Sequence, residues 1–419
     1  MNFNPFKEKC ENIDSLFMDW EKMYPRPYDK HDADPYTRVR CILANGAEFE
    51  AVRFSHAFHR SCTDNDIRRF LATTRRQEQQ QQKRIACLKP LDETVLETTI
   101  GYEQLAVDLT AIFARRHQGY LKQAFDFALL EDFDHLYRYA NLLELDTGIH
   151  AETLVGDYTE ITPARPTVSE HRYPADDVKR FCDNSVATPL DKLDSAIITA
   201  AEQQTMNYYM NQAQFYTNDL GRQLYSEIGM IEEQHVSHYG SLLDPRMTFA
   251  ENLLMHEYTE CYLYYSLYSD ETDPHVKKIW EQHLVCEIAH LHKAAELFEN
   301  IEKRDRSEVI KDGTFPEIIM FRSQKDYIRD VLKETVTLTS DREDYTEINS
   351  VPDDSDFFYY QKEVNNTIGD VASHKVIAAI QEKLGRDYRS EIAPNPVNVL
   401  CDRKKDNTTL GRVKEQIYA

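Results

Sequence analysis

The stretch Glu232-Glu-Gln-His235 and its counterpart Glu287-Ile-Ala-His290 decide how this chain of 419 residues is interpreted. Each stretch lies in a long amphipathic run without internal proline, which predicts an α-helix. Residues three positions apart in a helix lie on one face, so the Glu and the His of each stretch point to the same side. A carboxylate and an imidazole placed together in this way are typical ligands of a transition-metal ion.

An acidic ladder occurs twice along the sequence. The first ladder aligns with the second at an offset of 154 residues. Its last member, Asp132, aligns with Glu287 at an offset of 155. The spacings are 30, 25 and 29 in the first ladder, Glu48, Glu78, Glu103 and Asp132, and 30, 25 and 30 in the second, Glu202, Glu232, Glu257 and Glu287. A ladder repeated in order predicts a tandem duplication of a four-helix unit.

Composition agrees with a helical protein and excludes several functions. Only 12 residues are glycine, fewer than the turns of a β-rich or Rossmann-like protein of this length require. Lys and Arg number 49 against 72 Asp and Glu, so the net charge of −23 argues against binding of nucleic acid or of an anionic membrane surface. No apolar run approaches about 18 residues, which predicts no transmembrane helix.

Cysteine usage and the N-terminus indicate the compartment. The eight cysteines are scattered and form no Cys-x-x-Cys motif, which favours reduced thiols in the core of a cytoplasmic protein. The first 20 residues lack the basic and apolar regions of a signal peptide. We therefore expect a cytoplasmic protein.

Proline and glycine mark the expected organisation of an all-α protein with two tandem four-helix bundles. The predicted segments are an N-terminal extension, 1–34, a first bundle, 35–146, a linker, 147–190, a second bundle, 191–304, and a helical and irregular C-terminal extension, 305–419. In that last segment the pattern predicts helices over 323–338 and 357–384.

The second predicted bundle carries the complete set of candidate ligands. Two of its helices each contribute a lone glutamate, and two each contribute Glu-x-x-His, which is the set that holds two metal ions in the core of a helix bundle. Buried together without a cation, these carboxylates would repel one another. The predicted ligands are Glu202, Glu232, His235, Glu257, Glu287 and His290.

This pattern resembles that of the ferritin-like superfamily, which includes rubrerythrins, bacterioferritins and di-iron hydroxylases. The resemblance implies two iron ions for each complete site, with manganese as the alternative metal. Glu260, one turn after Glu257, resembles the additional carboxylate of rubrerythrin-type sites. The first predicted bundle offers a less complete set, in which a glutamine replaces one histidine: Glu48, Glu78, Gln81, Glu103, Asp132 and His135. This set is expected to bind metal more weakly.

Other side chains near the ladder suggest supporting roles. His238 follows His235 by three residues, and His283 precedes Glu287 by four, so either imidazole could hydrogen-bond a ligand. Tyrosines are frequent on the same helices, where they serve as core residues or as electron relays.

Several functions fit such a site. We expect an oxidase or oxygenase that activates dioxygen or peroxide and acts on a small organic substrate, with an external electron donor, because the linker and C-terminal extension exceed what a minimal bundle needs. The alternatives are a rubrerythrin-like peroxidase or manganese catalase, iron storage, and a helical module without enzymatic activity. A homodimer is compatible with each.

Overall fold

The computed structural model describes residues 3–164, 169–365 and 370–401. In these ranges the chain is mostly helical, and the one sheet has two antiparallel strands. The predicted all-α class is therefore confirmed. No helix in these ranges combines the length and the apolar character that a membrane span requires.

Each residue of the acidic ladder lies on a helix of its own. In chain order the elements are α1 (Trp20–Met23), α2 (Pro35–Ser61), α3 (Asn65–Ala86), α4 (Val95–Arg116), α5 (Gly119–Thr147), α6 (Ala151–Leu154), α7 (Pro189–Phe215), α8 (Asp219–Ser241), α9 (Phe249–Asp270), α10 (Pro274–Glu302), α11 (Lys325–Thr335), β1 (Leu338–Asp341), β2 (Asp344–Glu347), α12 (Asp356–Val364), α13 (Ala372–Leu384) and α14 (Arg389–Ile392).

The starts of α4 and α9 show how local sequence fixes these boundaries. Thr94 accepts a hydrogen bond from the backbone of Glu97, whose carboxylate accepts one from the backbone of Thr94. Thr248 and Glu251 form the same reciprocal capping box at the start of α9. Each box satisfies two backbone N–H groups that the first helical turn leaves unpaired.

The C-terminal extension differs from its prediction. The helix predicted over 357–384 is two helices, α12 ending at Val364 and α13 beginning at Ala372. The segment after α11 forms the hairpin of β1 and β2, in which Leu338 pairs with Glu347. Two β-branched residues, Thr339 and Thr346, pair across this hairpin, and such residues favour extended structure. The predicted extension also includes residues 402–419, which lie outside the described ranges.

The chain forms two compact units that do not follow the two sequence repeats. Unit 1 consists of Met1–Glu93, Cys182–Gln204 and Leu243–Phe321, and unit 2 of Thr94–Phe181, Thr205–Leu242 and Arg322–Ala419. Unit 1 thus takes α2 and α3 from the first repeat and α9 and α10 from the second. Unit 2 takes α4 and α5 from the first repeat and α8 from the second, and α7 contributes to both units. The bounds of these units differ from the predicted bundle boundaries, 35–146 and 191–304.

Helical hairpins explain why the two units differ from the two sequence repeats. Short connections keep α2 beside α3, α4 beside α5 and α9 beside α10, as expected for consecutive helices. Each hairpin of the first repeat offers the same kind of acidic face as its counterpart in the second repeat. The ladder therefore does not specify which two hairpins share a core.

In unit 1 all four long helices contribute to one apolar cluster. Phe58 of α2, Leu71 of α3, Leu253 of α9 and Ala294 of α10 are buried against one another. The buried guanidinium of Arg40 also joins α2 to the end of α9, where it lies 2.9 Å from Asp270.

Unit 2 has a core rich in tyrosine. The rings of Tyr139 on α5, Tyr209 on α7 and Tyr225 on α8 lie with centroids 4.9–5.7 Å apart. Tyr102 on α4 lies 6.2 Å from Tyr209. Aromatic side chains bury large apolar areas, so this cluster joins four helices of the unit.

Part of the predicted linker, 147–190, belongs to the folded structure of unit 2. Its described residues up to Phe181 belong to unit 2, and residues 165–168 of it lie outside the described ranges. Within it Glu170 and Arg172 are completely buried. This segment therefore contributes charged groups to the interior of unit 2.

Lys179, near the end of this segment, anchors the β hairpin. Its ammonium group donates to Ser340 and, at 2.7 Å, to the backbone carbonyl of Arg342. It also lies 4.8 Å from the ring centroid of Tyr345. Burial, together with the positive charge of Arg172, lowers the pKa of Lys179 to about 7 from its ordinary value of 10.5.

This lowered pKa predicts a stability that rises with pH. Between about pH 7 and 10 the unfolded chain binds a proton at Lys179 that the folded chain does not, so the free energy of unfolding increases across this window. In Lys179→Met this increase is expected to be absent, which urea titrations of both proteins at pH 6.5 and 9 measure. Parallel pH profiles for the two proteins would contradict the prediction.

Candidate metal centres

The structure regroups the predicted ligands. Glu232 and His235 lie in unit 2, whereas Glu257, Glu287 and His290 lie in unit 1. The predicted weaker set is divided in the same way. Unit 1 contains Glu48, Glu78, Gln81, Glu257, Glu260, Glu287 and His290, and unit 2 contains Glu103, Asp132, His135, Glu232 and His235. Glu202 is buried on α7, in the part assigned to unit 1, and stays a candidate ligand from the ladder alone.

Two imidazoles converge on one carboxylate in the unit 2 centre, which we define as Glu103, Asp132, His135, Glu232 and His235. Nδ1 of His135 lies 3.0 Å from Oε1 of Glu232, and Nδ1 of His235 lies 3.3 Å from Oε2 of the same carboxylate. Nδ1 of His235 is also 2.9 Å from Oδ1 of Asp132. All these side chains are buried, with at most 1% of their surface exposed.

Glu103, on α4, is a further candidate ligand of the same centre. Its carboxylate accepts a hydrogen bond from the Tyr209 hydroxyl, and its ligand atoms group with those of His135 and Glu232 within 4.8 Å of one another. Tyr209 is thus one of the tyrosines that touches a candidate ligand. Four helices, α4, α5, α7 and α8, supply the side chains around this point.

An outer ring of charged residues fixes the two histidines. Nε2 of His235 lies 2.8 Å from Oε2 of Glu131, and the other oxygen of Glu131 accepts a hydrogen bond from Arg172. Nε2 of His135 lies 3.7 Å from Glu170, which accepts hydrogen bonds of 2.7 and 3.1 Å from Arg138. Each imidazole therefore turns Nδ1 toward the centre and Nε2 toward a carboxylate that is paired with an arginine.

Sequence reasoning did not identify this outer ring. Glu131 immediately precedes Asp132 and, at about 100° per residue, faces away from it on an ideal helix. Glu170 and Arg172 come from the predicted linker, where no helical periodicity places them. The signal present in the sequence was Glu170-His-Arg172, a charged group in a segment otherwise marked by proline.

Charges in unit 2 shift the pKa values in opposite directions. Burial acts to raise the pKa of Glu232, but His135 and His235 outweigh it and lower the pKa to about 2. Burial raises the pKa of Glu103 well above its ordinary value, and the charge of Glu232 raises it further. Burial also raises the pKa of Asp132. Glu232 is therefore the carboxylate that stays charged between the two imidazoles.

The corresponding side chains of unit 1 form a second group, the unit 1 cluster, defined as Glu48, Glu78, Gln81, Glu257, Glu260, Glu287 and His290. Nδ1 of His290 lies 3.1 Å from Glu287 and 3.7 Å from Glu257. Nε2 of His290 lies 2.9 Å from the amide oxygen of Gln77. A neutral amide thus stands behind this imidazole, in the position that a carboxylate occupies behind the imidazoles of unit 2.

Burial dominates the pKa values of the unit 1 cluster. It raises the pKa of Glu257 and Glu260 well above the ordinary value, and that of Glu78 to about 7. Burial also acts to raise the pKa of Glu287, but the charge of His290 outweighs it and lowers the pKa.

The two histidines predicted to hydrogen-bond the ligands make other contacts. His238 is buried against Phe127 and lies 3.4 Å from the Tyr345 hydroxyl. His283 packs edge-on against Tyr264, and neither of its ring nitrogens has a hydrogen-bond partner among the described residues. The structure therefore records no hydrogen bond from either imidazole to a candidate ligand in the described ranges.

Comparison with known proteins identifies no relative of this chain. No family model matches the chain, and neither the curated proteins nor the solved structures include a significant match.

Proposed function

We propose that unit 2 is a ferritin-like four-helix bundle whose centre binds two iron ions and activates dioxygen or peroxide. The observation that carries this proposal is the position of Glu232 between Nδ1 of His135 and Nδ1 of His235. A carboxylate with an imidazole on each side is suited to bridging two metal ions, each held by one histidine. Glu103 and Asp132 would complete the ligands.

Charge in the site supports occupation by cations. Oε2 of Glu103 and Oδ2 of Asp132 are buried and have no hydrogen-bond partner among the described residues. Buried carboxylate oxygens without a partner are costly, and metal ions remove this cost. The two arginines of the outer ring do not supply the missing charge, because they contact four acidic side chains, Asp134, Glu170, Glu131 and Asp177.

The residues around the ions would prepare the site for redox chemistry. When bound, two ferrous ions supply two electrons to an oxygen species. Glu131 and Glu170 hold the Nε2 sides of the imidazoles, which fixes the ring orientation and leaves Nδ1 free for metal. The Tyr209 hydroxyl places a proton beside Glu103. The apolar and aromatic surroundings limit the access of water.

We favour an oxidase or oxygenase acting on a small organic substrate. Ala106 stands one turn after Glu103, where a rubrerythrin-type site resembling this one would carry an additional carboxylate. Unit 2 also has an open cleft of about 1360 Å³, lined in part by Met210, Met230, Tyr360 and His171. A cleft of this size accommodates an organic molecule. Peroxidase or catalase activity is the second candidate.

Oxygen consumption by the iron-loaded chain tests the proposal. The full chain is loaded anaerobically with ferrous iron and freed of excess, and oxygen uptake and iron oxidation are followed after mixing with aerated buffer. Wild type and Glu233→Ala, which alters an exposed neighbour of Glu232, are expected to oxidise bound iron much faster than buffer does. His235→Ala is expected to lose this reaction.

Two outcomes would overturn the proposal. In the first, His235→Ala retains wild-type oxidation while remaining folded by circular dichroism. In the second, the wild type oxidises iron no faster than buffer. Rapid disproportionation of hydrogen peroxide by manganese-loaded protein, without a reductant, would instead favour a catalase.

A further inference from the structure

The two halves of the unit 1 cluster differ in how their oxygen atoms are satisfied. In one half Nε2 of Gln81 donates to Oε1 of Glu48 at 3.0 Å and to Oε1 of Glu287 at 2.5 Å. The Tyr264 hydroxyl donates to the same oxygen of Glu48. Gln81 stands at the position that the ladder equates with His235. An amide that donates hydrogen bonds thus joins two carboxylates where a histidine would offer a lone pair to a metal.

The other half has no such donor. Both carboxylate oxygens of Glu257 and Oε2 of Glu78 are without a hydrogen-bond partner among the described residues. Glu257 is fully buried, and Glu78 is 2% exposed. One ligand atom each from Glu78, Glu257 and His290 lie within 4.8 Å of one another. Oε2 of Glu257 lies 3.7 Å from Nδ1 of His290, and the amide oxygen of Gln77 lies 2.9 Å from Nε2 on the opposite side of the ring.

Charge in the cluster also favours a bound cation. Five carboxylates, Glu48, Glu78, Glu257, Glu260 and Glu287, are buried together with the imidazole of His290, and a second imidazole, that of His256, lies 3.5 Å from Glu260. In the described part of unit 1, no lysine or arginine forms an ion pair with any of them. A group of this kind is stabilised by a bound metal ion or by proton uptake, and a divalent ion satisfies several oxygens at once.

We propose that unit 1 binds one divalent cation per chain, held by Glu78, Glu257, His290 and Glu287. The hydrogen bonds that Gln81 donates to Glu48 and Glu287 prevent a second ion from binding in the cluster. Glu260, whose carboxylate groups with those of Glu257 and Glu287, supplies a further oxygen. The Cys286 thiol also groups with Glu287 and His290, but it lies on the Nε2 side of the imidazole, 3.7 Å from that nitrogen. The donors on the Nδ1 side are then oxygens and a single nitrogen, a set that favours a hard ion such as Mn²⁺. The inference does not depend on the dimetal proposal for unit 2, since the two sets share no described residue.

Manganese titration of the full chain tests the inference. Binding is followed by the loss of the free Mn²⁺ electron paramagnetic resonance signal, in a His235→Ala, Glu103→Gln background that weakens the unit 2 centre. We expect one Mn²⁺ per chain with the spectrum of an isolated ion. Isosteric Glu257→Gln is expected to abolish this binding, and Glu78→Gln serves in its place if that variant does not fold.

Gln81→His, in the same background, provides the decisive variant. It is expected to raise the stoichiometry from one ion to two and to give the spectrum of a coupled pair. Gln79→His, which places a histidine at an exposed position two residues earlier on α3, is the matched control and should leave one ion bound. The inference would be overturned if the His235→Ala, Glu103→Gln background itself bound two ions before Gln81→His is added. Undiminished binding in folded Glu257→Gln and Glu78→Gln would overturn it as well.

The unit 2 proposal is tested separately in this design. If His235→Ala and Glu103→Gln leave total metal content unchanged, the unit 2 proposal fails, whereas the response to Glu257→Gln still reports on unit 1.

Discussion

Replacing Arg172 with methionine is expected to lower the free energy of unfolding by about 3–5 kcal/mol, because it breaks a buried ion pair by removing one partner. Arg172 is fully buried and contacts both Glu131 and Asp177, the latter at 2.7 Å. Without it, two buried carboxylates lose their countercharge. Because Glu131 also fixes His235, metal affinity at the unit 2 centre is expected to fall about 10- to 100-fold.

Two further variants separate these effects. Adding Glu131→Gln to Arg172→Met removes one uncompensated charge and is expected to restore part of the stability, but not the metal affinity. Arg180→Met removes an exposed arginine that pairs with Asp344, and it is expected to change stability little. Urea titration measures stability, and competition with a chelator measures affinity. Equal, small effects of Arg172→Met and Arg180→Met would contradict the buried-pair assignment.

The largest change in metal content is expected from Glu232→Gln. This variant removes the charge between the two imidazoles, and it is expected to cost about two iron ions per chain in protein purified from iron-rich medium. Glu103→Gln is expected to weaken the same ions, because Glu103 and Glu232 belong to one centre. Elemental analysis of the purified variants measures both effects, with Glu233→Gln as the exposed control.

Comparison with Glu257→Gln distinguishes the structural grouping from the sequence grouping. The sequence repeats place Glu232 and Glu257 in one site, whereas the structure places them in different units. We therefore expect the double variant Glu232→Gln, Glu257→Gln to lose more metal than Glu232→Gln alone. Double variant Glu232→Gln, Glu103→Gln is expected to lose no more than Glu232→Gln. The reverse pattern would favour the arrangement that the repeats suggest.

Much of the fold follows from local sequence. The capping boxes at Thr94 and Thr248 fix the starts of α4 and α9, and Gly148, with φ of 75°, ends α5 in the left-handed conformation that favours glycine. The helix predicted over 323–338 is α11, Lys325–Thr335. The residues of the ladder are all buried, which agrees with the inward face assigned to them from their spacing.

The arrangement of the hairpins did not follow from the sequence. Glu-x-x-His on α8 meets Asp132 and His135 of α5, although these helices come from different repeats. The choice between similar hairpins depends on tertiary packing, such as that of Tyr139 with Tyr209 and Tyr225. Spacing along the chain carries no information about such contacts.

The functional residues outside the ladder were missed for a related reason. Glu131 hydrogen-bonds His235, Glu170 lies 3.7 Å from His135, and Arg172 pairs with Glu131, and no motif connects these three residues in the sequence. His238 and His283, which the spacing did suggest, lie on the right helices, but their rings pack against aromatic side chains instead.

Anomalous diffraction from crystals of the iron-loaded chain would test the central claim most directly. Data collected on both sides of the iron absorption edge locate the ions without assumptions about their ligands. We predict two peaks in unit 2, one within bonding distance of Nδ1 of His135 and one within bonding distance of Nδ1 of His235, with Glu232 between them. Iron-loaded crystals with no peak beside either histidine would contradict this prediction.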